Sequence, residues 1–143
     1  MIDALKRLPS PRIVLIEDDP LVRLGQEMLL KDWGYRVAMG AGRDEIFAAL
    51  HASPEDVAAI ISDFSVEGRE TGAELALAIS AAAGQRIPTA IMSASMGRAS
   101  GEAAREHGFT FFAKPVDPEH LRVWLEAAIG PADQPTDAPP LAK

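Results

Sequence analysis

Residues 12–23 read RIVLIEDDPLVR, an apolar, β-branched run halted by three consecutive carboxylates and a proline. RIVLIE (12–17) predicts a short buried strand. Asp19 followed by Pro20 predicts a helix N-cap with proline at the first helical position. Leu21, Leu24 and Met28 then repeat at helical spacing, and Gly34 closes the helix after Trp33. Adjacent anions repel one another, so the cluster Glu17, Asp18 and Asp19 needs a physical reason. Asp19 has one as the cap. Glu17 and Asp18 are left as candidates for binding something positive.

The same strand-then-helix grammar recurs along the chain. YRVAM (35–39) predicts a second strand, and Asp44 can cap a helix carrying Ile46, Phe47 and Leu50 that ends near Ser53-Pro54. VAAIIS (57–62) predicts a third strand, ending at Asp63, with a loop over 64–72 and a helix over 74–84. TAIMS (89–93) predicts a fourth strand, followed by a glycine-interrupted helix over 95–108. FTFFA (109–113) predicts a fifth. Asp117-Pro118 repeats the cap-and-proline signal before Leu121, Trp124, Leu125 and Ile129 mark an apolar helix face.

Alternating strands and helices imply a parallel sheet with helices on both faces. Parallel strands are buried on both sides, which explains continuous apolar runs in place of alternation. The expected fold is α/β: a doubly wound, flavodoxin-like (βα)5 domain with strand order 2-1-3-4-5 over residues 12–130. Residues 1–11 form an N-terminal extension. PADQPTDAPPLAK (131–143) reads as a flexible proline-rich tail.

Composition narrows the function. The chain has 143 residues, 48% hydrophobic and 24% charged, enough for one domain with a real core. It has no cysteine, which excludes disulfides and thiolate metal sites and is consistent with a cytoplasmic location. A net charge of −7 argues against direct nucleic-acid binding. No apolar run approaches the roughly 20 residues that span a membrane. Gly40-Ala41-Gly42 is not a dinucleotide loop, because Glu45 occupies the third glycine position and the segment follows the second strand.

In an open α/β sheet the ligand site lies beyond the carboxyl ends of the strands, at the switch in strand order. Glu17, Asp18, Asp63, Ser93 and Lys114 all fall at such ends. Strands one and three are neighbours in the expected order, so Glu17, Asp18 and Asp63 should converge. Three converging carboxylates raise one another's pKa unless a cation is present. Oxygen-only ligands suit a hard ion such as Mg²⁺, which uses one or two carboxylates together with a substrate phosphate. With a lysine and a hydroxyl donor alongside, the set reads as a phosphoryl-transfer site whose nucleophile is a carboxylate.

The pieces IVLIEDDPLVR, AIISDFS, AIMSAS and FFAKPVDPEHL, in this order on these strands, resemble the receiver domain of two-component response regulators over residues 12–129. The resemblance implies Asp63 as phosphoacceptor. It implies Glu17 and Asp18 as ligands of Mg²⁺ (or Mn²⁺), with the Ser65 backbone carbonyl adding an oxygen. Lys114 would pair with the acceptor, Ser93 would be the switch hydroxyl, and Phe111 the switch aromatic. Arg23 has no assigned chemistry. There are departures from the usual pattern. The acidic pair is Glu-Asp, Ser93 replaces threonine, and Phe111 lacks a phenolic oxygen. Glu67 stands where proline is frequent, and Gly72 comes one residue late. The longer loop is similar to receivers at the C-termini of hybrid histidine kinases.

The implied partners are a sensor histidine kinase or a histidine phosphotransfer protein as donor and a downstream protein as reader. A homodimer would use the fourth helix, fifth strand and fifth helix. The domain would phosphorylate and dephosphorylate itself without acting on external substrates. A hybrid-kinase receiver or phosphorelay intermediate is the alternative. Remoter alternatives are a degenerate receiver and an aspartyl-phosphate phosphatase or phosphotransferase. The phosphatase reading expects a second acid where Ser65 stands.

Overall fold

The structure is a computed structural model and describes residues 10–51, 54–66, 70–94 and 98–130. Most of the extension 1–11, Ser53, Glu67, the start of the helix expected from 95, and the tail 131–143 lie outside the described residues. Ten elements alternate: β1 (Arg12–Ile16), α1 (Pro20–Asp32), β2 (Arg36–Gly40), α2 (Arg43–Leu50), β3 (Val57–Asp63), α3 (Gly72–Ala83), β4 (Thr89–Ser93), α4 (Arg98–Glu106), β5 (Thr110–Ala113) and α5 (Pro118–Ile129). A single 3-10 turn, Pro54–Asp56, precedes β3. The five strands pair in parallel in the order β2-β1-β3-β4-β5, as the sequence predicts.

Strand alternation divides the core. Val14, Ile16 and Ile60 face α2 and α3, meeting Ile46, Leu50, Leu75 and Ile79. Ile13, Leu15 and Ile61 face the other way and meet Leu30 of α1 and Leu121 and Leu125 of α5. Full burial of each such side chain is worth about 1.5–3 kcal/mol. Phe112 of β5 meets Trp124 of α5 edge-on, with ring centroids 6.4 Å apart.

The caps follow the sequence at two helices. The Asp19 carboxylate accepts from Leu21 N and Val22 N, and Asp117 accepts from Glu119 N. Two starts differ. Asp44 does not cap α2; Gly42 holds the cap position without a side-chain bond. Glu45 reaches back instead, its Oε1 accepting from Ala41 N at 2.7 Å. Gly40 permits this, since a Cβ there would stand 2.7 Å from Glu45 Cβ. In α3 a capping box between Thr71 and Glu74 starts the helix at Gly72, two residues earlier than expected.

The α1 stripe also departs from the simplest expectation for periodic apolar residues. Leu21, Leu24 and Met28 are 78%, 50% and 63% exposed, and Val22 beside them is exposed too. The helical spacing is as read, but this face looks away from the sheet. Leu30 is the one fully buried residue of α1.

Candidate functional site

Strand register assembles the site. Ile16 pairs with Ser62, so the next residues, Glu17 and Asp63, stand side by side at the carboxyl edge of the sheet. Asp63 pairs with Met92, and Ser93 with Ala113, which places Ser93 and Lys114 one step beyond. Main-chain bonds extend the ladder past the strands. Glu17 N donates to Gly40 O, Phe64 N to Met92 O, and Lys114 N to Ser93 O at 2.9 Å.

Glu17, Asp18 and Asp63 each offer a carboxylate oxygen, and these oxygens lie within 4.8 Å of one another. Glu17 is buried, Asp63 half-buried and Asp18 exposed. Lys114 Nζ bridges two of them, 3.1 Å from Glu17 Oε1 and 3.4 Å from Asp63 Oδ2. Glu17 Oε2 accepts from Asp19 N at 3.2 Å. Burial pushes the Glu17 carboxyl above the ordinary carboxylate range, against the opposing pull of Lys114 and the Asp19 N–H. Burial also raises Asp63; Lys114 opposes it and the Asp18 charge adds to it. For Lys114, burial works against the charge, but the hydrogen bonds and charges of Glu17 and Asp63 together win, and its pKa is raised.

The charges are therefore unbalanced. Among the described residues one ammonium serves three carboxylates, and burial holds the pKa of both acids it touches above the ordinary range. A further hard cation on this oxygen-only donor set would relieve that, and Mg²⁺ or Mn²⁺ fits it. Glu17, Asp18 and Asp63 are the residues that would hold it. Ser65, two residues past Asp63, is exposed and bridges to Thr71, closing the loop that carries it.

Gly72, which the sequence marks only as loop punctuation, is a hidden part of the site. A side chain there would run into Asp63 O and Ser62 Oγ. Ser62 Oγ itself donates to Asp63 O at 2.7 Å. The start of α3 is thus seated directly on the main chain of Asp63. Ser93 is buried at the end of β4. Phe111 is half-buried and packs with Ile91 and Ala104 beneath α4. Glu17, Asp18, Asp63, Ser65, Ser93 and Lys114 therefore lie at the carboxyl edge, and Phe111 on the adjoining α4 face.

The family described as the response regulator receiver domain matches residues 13–126. The chain belongs to this family. Several solved structures with a similar fold are receiver domains. The receiver domain of sensor histidine kinase PA1611 from Pseudomonas aeruginosa PAO1 is 26% identical, with a TM-score of 0.69, covering 86% of this chain and 99% of that one. That structure carries a magnesium ion coordinated in its active-site cleft. The non-phosphorylated HemR receiver domain from Leptospira biflexa is 25% identical, with a TM-score of 0.68 and coverage of 83% and 94%. Vibrio cholerae chemotaxis protein CheY4 is 22% identical, with a TM-score of 0.68 and coverage of 82% and 97%. No curated protein matches the chain by sequence.

Proposed function

We propose that this receiver accepts a phosphoryl group on Asp63 in a Mg²⁺-dependent step and relays the change through a protein-binding surface. The observation that carries the reading is the Glu17–Asp18–Asp63 cluster with the Lys114 ammonium bridging Glu17 and Asp63. An Asp63 carboxylate oxygen attacks phosphorus, the P–N bond of a partner's phosphohistidine breaks, and the imidazole leaves. Bound Mg²⁺ supplies neutralisation of the phosphoryl oxygens. Lys114 shifts its charge from the Glu17–Asp63 pair toward the phosphoryl oxygens. The Ser93 hydroxyl donates to one of them, and Phe111 repacks beneath α4 as Ser93 moves.

The donor, a sensor kinase or a histidine phosphotransfer protein in the cytoplasm, has to seat beside Asp63. The exposed Leu21, Val22, Leu24 and Met28 begin three residues past Asp18 and lead down α1 from the rim of the site. Four side chains fall well short of the roughly 800 Å² per partner of a stable complex. That suits a helical partner that delivers its phosphoryl group and leaves. The output surface is the face of α4, β5 and α5, which also serves a homodimer. Among the described residues, no helix is long and apolar enough to cross a membrane. A place within a hybrid kinase or phosphorelay is the second reading, favoured by the similarity to the PA1611 receiver.

The test is a beryllofluoride titration of ¹⁵N-labelled protein followed by amide NMR. The expected result is saturable, Mg²⁺-dependent shifts at Asp63, Ser93, Phe111 and Lys114, absent in Asp63→Asn. Shifts that persist in Asp63→Asn would remove Asp63 from the role.

A further inference from the structure

Arg23 closes the opening stretch without assigned chemistry, and the structure gives it a specific partner. Its Nη1 donates to the backbone carbonyl of Glu17 at 2.8 Å. Arg23 sits in the first turns of α1, its own N–H bonded to Asp19 O at 2.9 Å. It is half-buried, and among the described residues its guanidinium has no ion-pair partner. This cation is spent on a main-chain oxygen of the residue that carries the buried Glu17 carboxylate.

That oxygen belongs to the peptide joining Glu17 to Asp18. Glu17 is only 1% exposed, so water cannot satisfy its carbonyl. Glu17 N is already held by Gly40 O at 3.1 Å. With both main-chain groups of Glu17 pinned, the plane of the following peptide is set. That plane directs Asp18 as it leaves the strand. The Asp18 side chain has no hydrogen bond of its own among the described residues. Its aim depends on its backbone.

We infer that Arg23 is a positioning residue for the cation site, fixing the 17–18 peptide so that Glu17 and Asp18 present their carboxylates together. The inference rests on reading Glu17, Asp18 and Asp63 as a divalent-cation site. It makes a prediction of unusual sign. As a mere positive charge near the site, Arg23 would repel Mg²⁺, and removing it would tighten binding. As a positioning group, its removal weakens binding. As a purely structural residue, its removal lowers stability and leaves the affinity of the folded protein unchanged.

The experiment is a Mg²⁺ titration by calorimetry on the full chain, comparing wild type, Arg23→Gln and Arg23→Lys. Urea unfolding of each sets conditions in which it is folded. Loss of groups that orient metal ligands typically costs 10–100-fold in affinity. Arg23→Gln should weaken Mg²⁺ binding about tenfold, and Arg23→Lys, which keeps a donor and the charge, should recover part of it. Unchanged or tighter binding by folded Arg23→Gln overturns the inference. If Arg23→Gln does not fold, Arg23→Met, which keeps the apolar stem and has no donor, takes its place, and unchanged or tighter binding by that folded variant overturns the inference. A wild type that fails to bind Mg²⁺ refutes the underlying site reading instead, and with it the inference.

Discussion

Replacing Lys114 with methionine keeps most of the apolar stem and removes the only ammonium that touches the acidic cluster among the described residues. Its nitrogen lies 3.1 Å from Glu17 and 3.4 Å from Asp63. At an effective dielectric of about 20, each gross attraction is roughly 5 kcal/mol. Most of that is offset by the cost of burying the charges. Breaking a buried pair typically costs about 3–5 kcal/mol, and Lys114 retains 21% side-chain exposure, which lowers the figure. The expected loss for Lys114→Met at neutral pH without divalent cation is about 3 kcal/mol. The loss should depend on pH with a definite sign. Burial already raises the Glu17 and Asp63 pKa values, and Lys114 is the chief opposing influence. Without it both rise further above their unfolded values. An acid whose folded pKa is raised contributes stability below its unfolded pKa and loses it as pH climbs through the folded one. The deficit relative to wild type should therefore be small at about pH 4, near the unperturbed carboxylate range, and grow toward neutrality. Urea unfolding across that range measures it. Added Mg²⁺ should restore part of the loss, since a ligand that binds only the folded state stabilises it. A deficit as large at low pH as at neutral pH would refute the electrostatic argument and leave lost packing as the cause.

Gly72→Ala should cost several kcal/mol or displace Asp63, because the added carbon meets Asp63 O and Ser62 Oγ, backbone and a buried side chain that cannot simply swing away. Urea unfolding together with phosphoryl labelling checks it; a folded, fully labelled variant would contradict it. Mg²⁺ affinity should fall as pH drops, starting above the ordinary carboxylate range, because protons compete for the raised acids Glu17 and Asp63. Calorimetry at several pH values reads this, and a flat profile through the carboxylate range would count against those ligands. Leu24→Asp, on the exposed stripe of α1, should leave stability within about 0.5 kcal/mol of wild type. It should also slow transfer from a phosphohistidine protein at least tenfold and spare labelling by a small acyl phosphate. Equal loss with both donors would place the effect in the site.

Much of the fold was legible because the elements announce themselves. Asp19-Pro20 and Asp117-Pro118 mark helix starts by local capping chemistry, which needs no tertiary knowledge. Apolar runs ending in Glu17, Asp63 and Lys114 give the strands and, through strand order, the convergence at one edge. What stayed hidden depends on contacts between distant segments. The start of α2 is set by Glu45 reaching back to Ala41, allowed by Gly40, so Asp44 is not the cap. The Thr71-x-x-Glu74 signal was available in the sequence, and it starts α3 earlier than the apolar pattern alone does. Periodicity identified α1 as a helix, but a repeat of leucine and methionine does not say whether its face meets the sheet or a partner. The seat of Gly72 on Asp63 and the hold of Arg23 on Glu17 join residues whose types alone carry no such message.

In the function proposed above, Asp63 becomes an aspartyl phosphate with the help of a divalent cation. Intact-protein mass spectrometry after incubation with a small-molecule phosphodonor and Mg²⁺, beside Asp63→Asn, tests it most directly. The expected result is one added phosphoryl group on the wild type, none on the variant, and none when Mg²⁺ is chelated. Equal labelling of Asp63→Asn, or labelling indifferent to Mg²⁺, would contradict it.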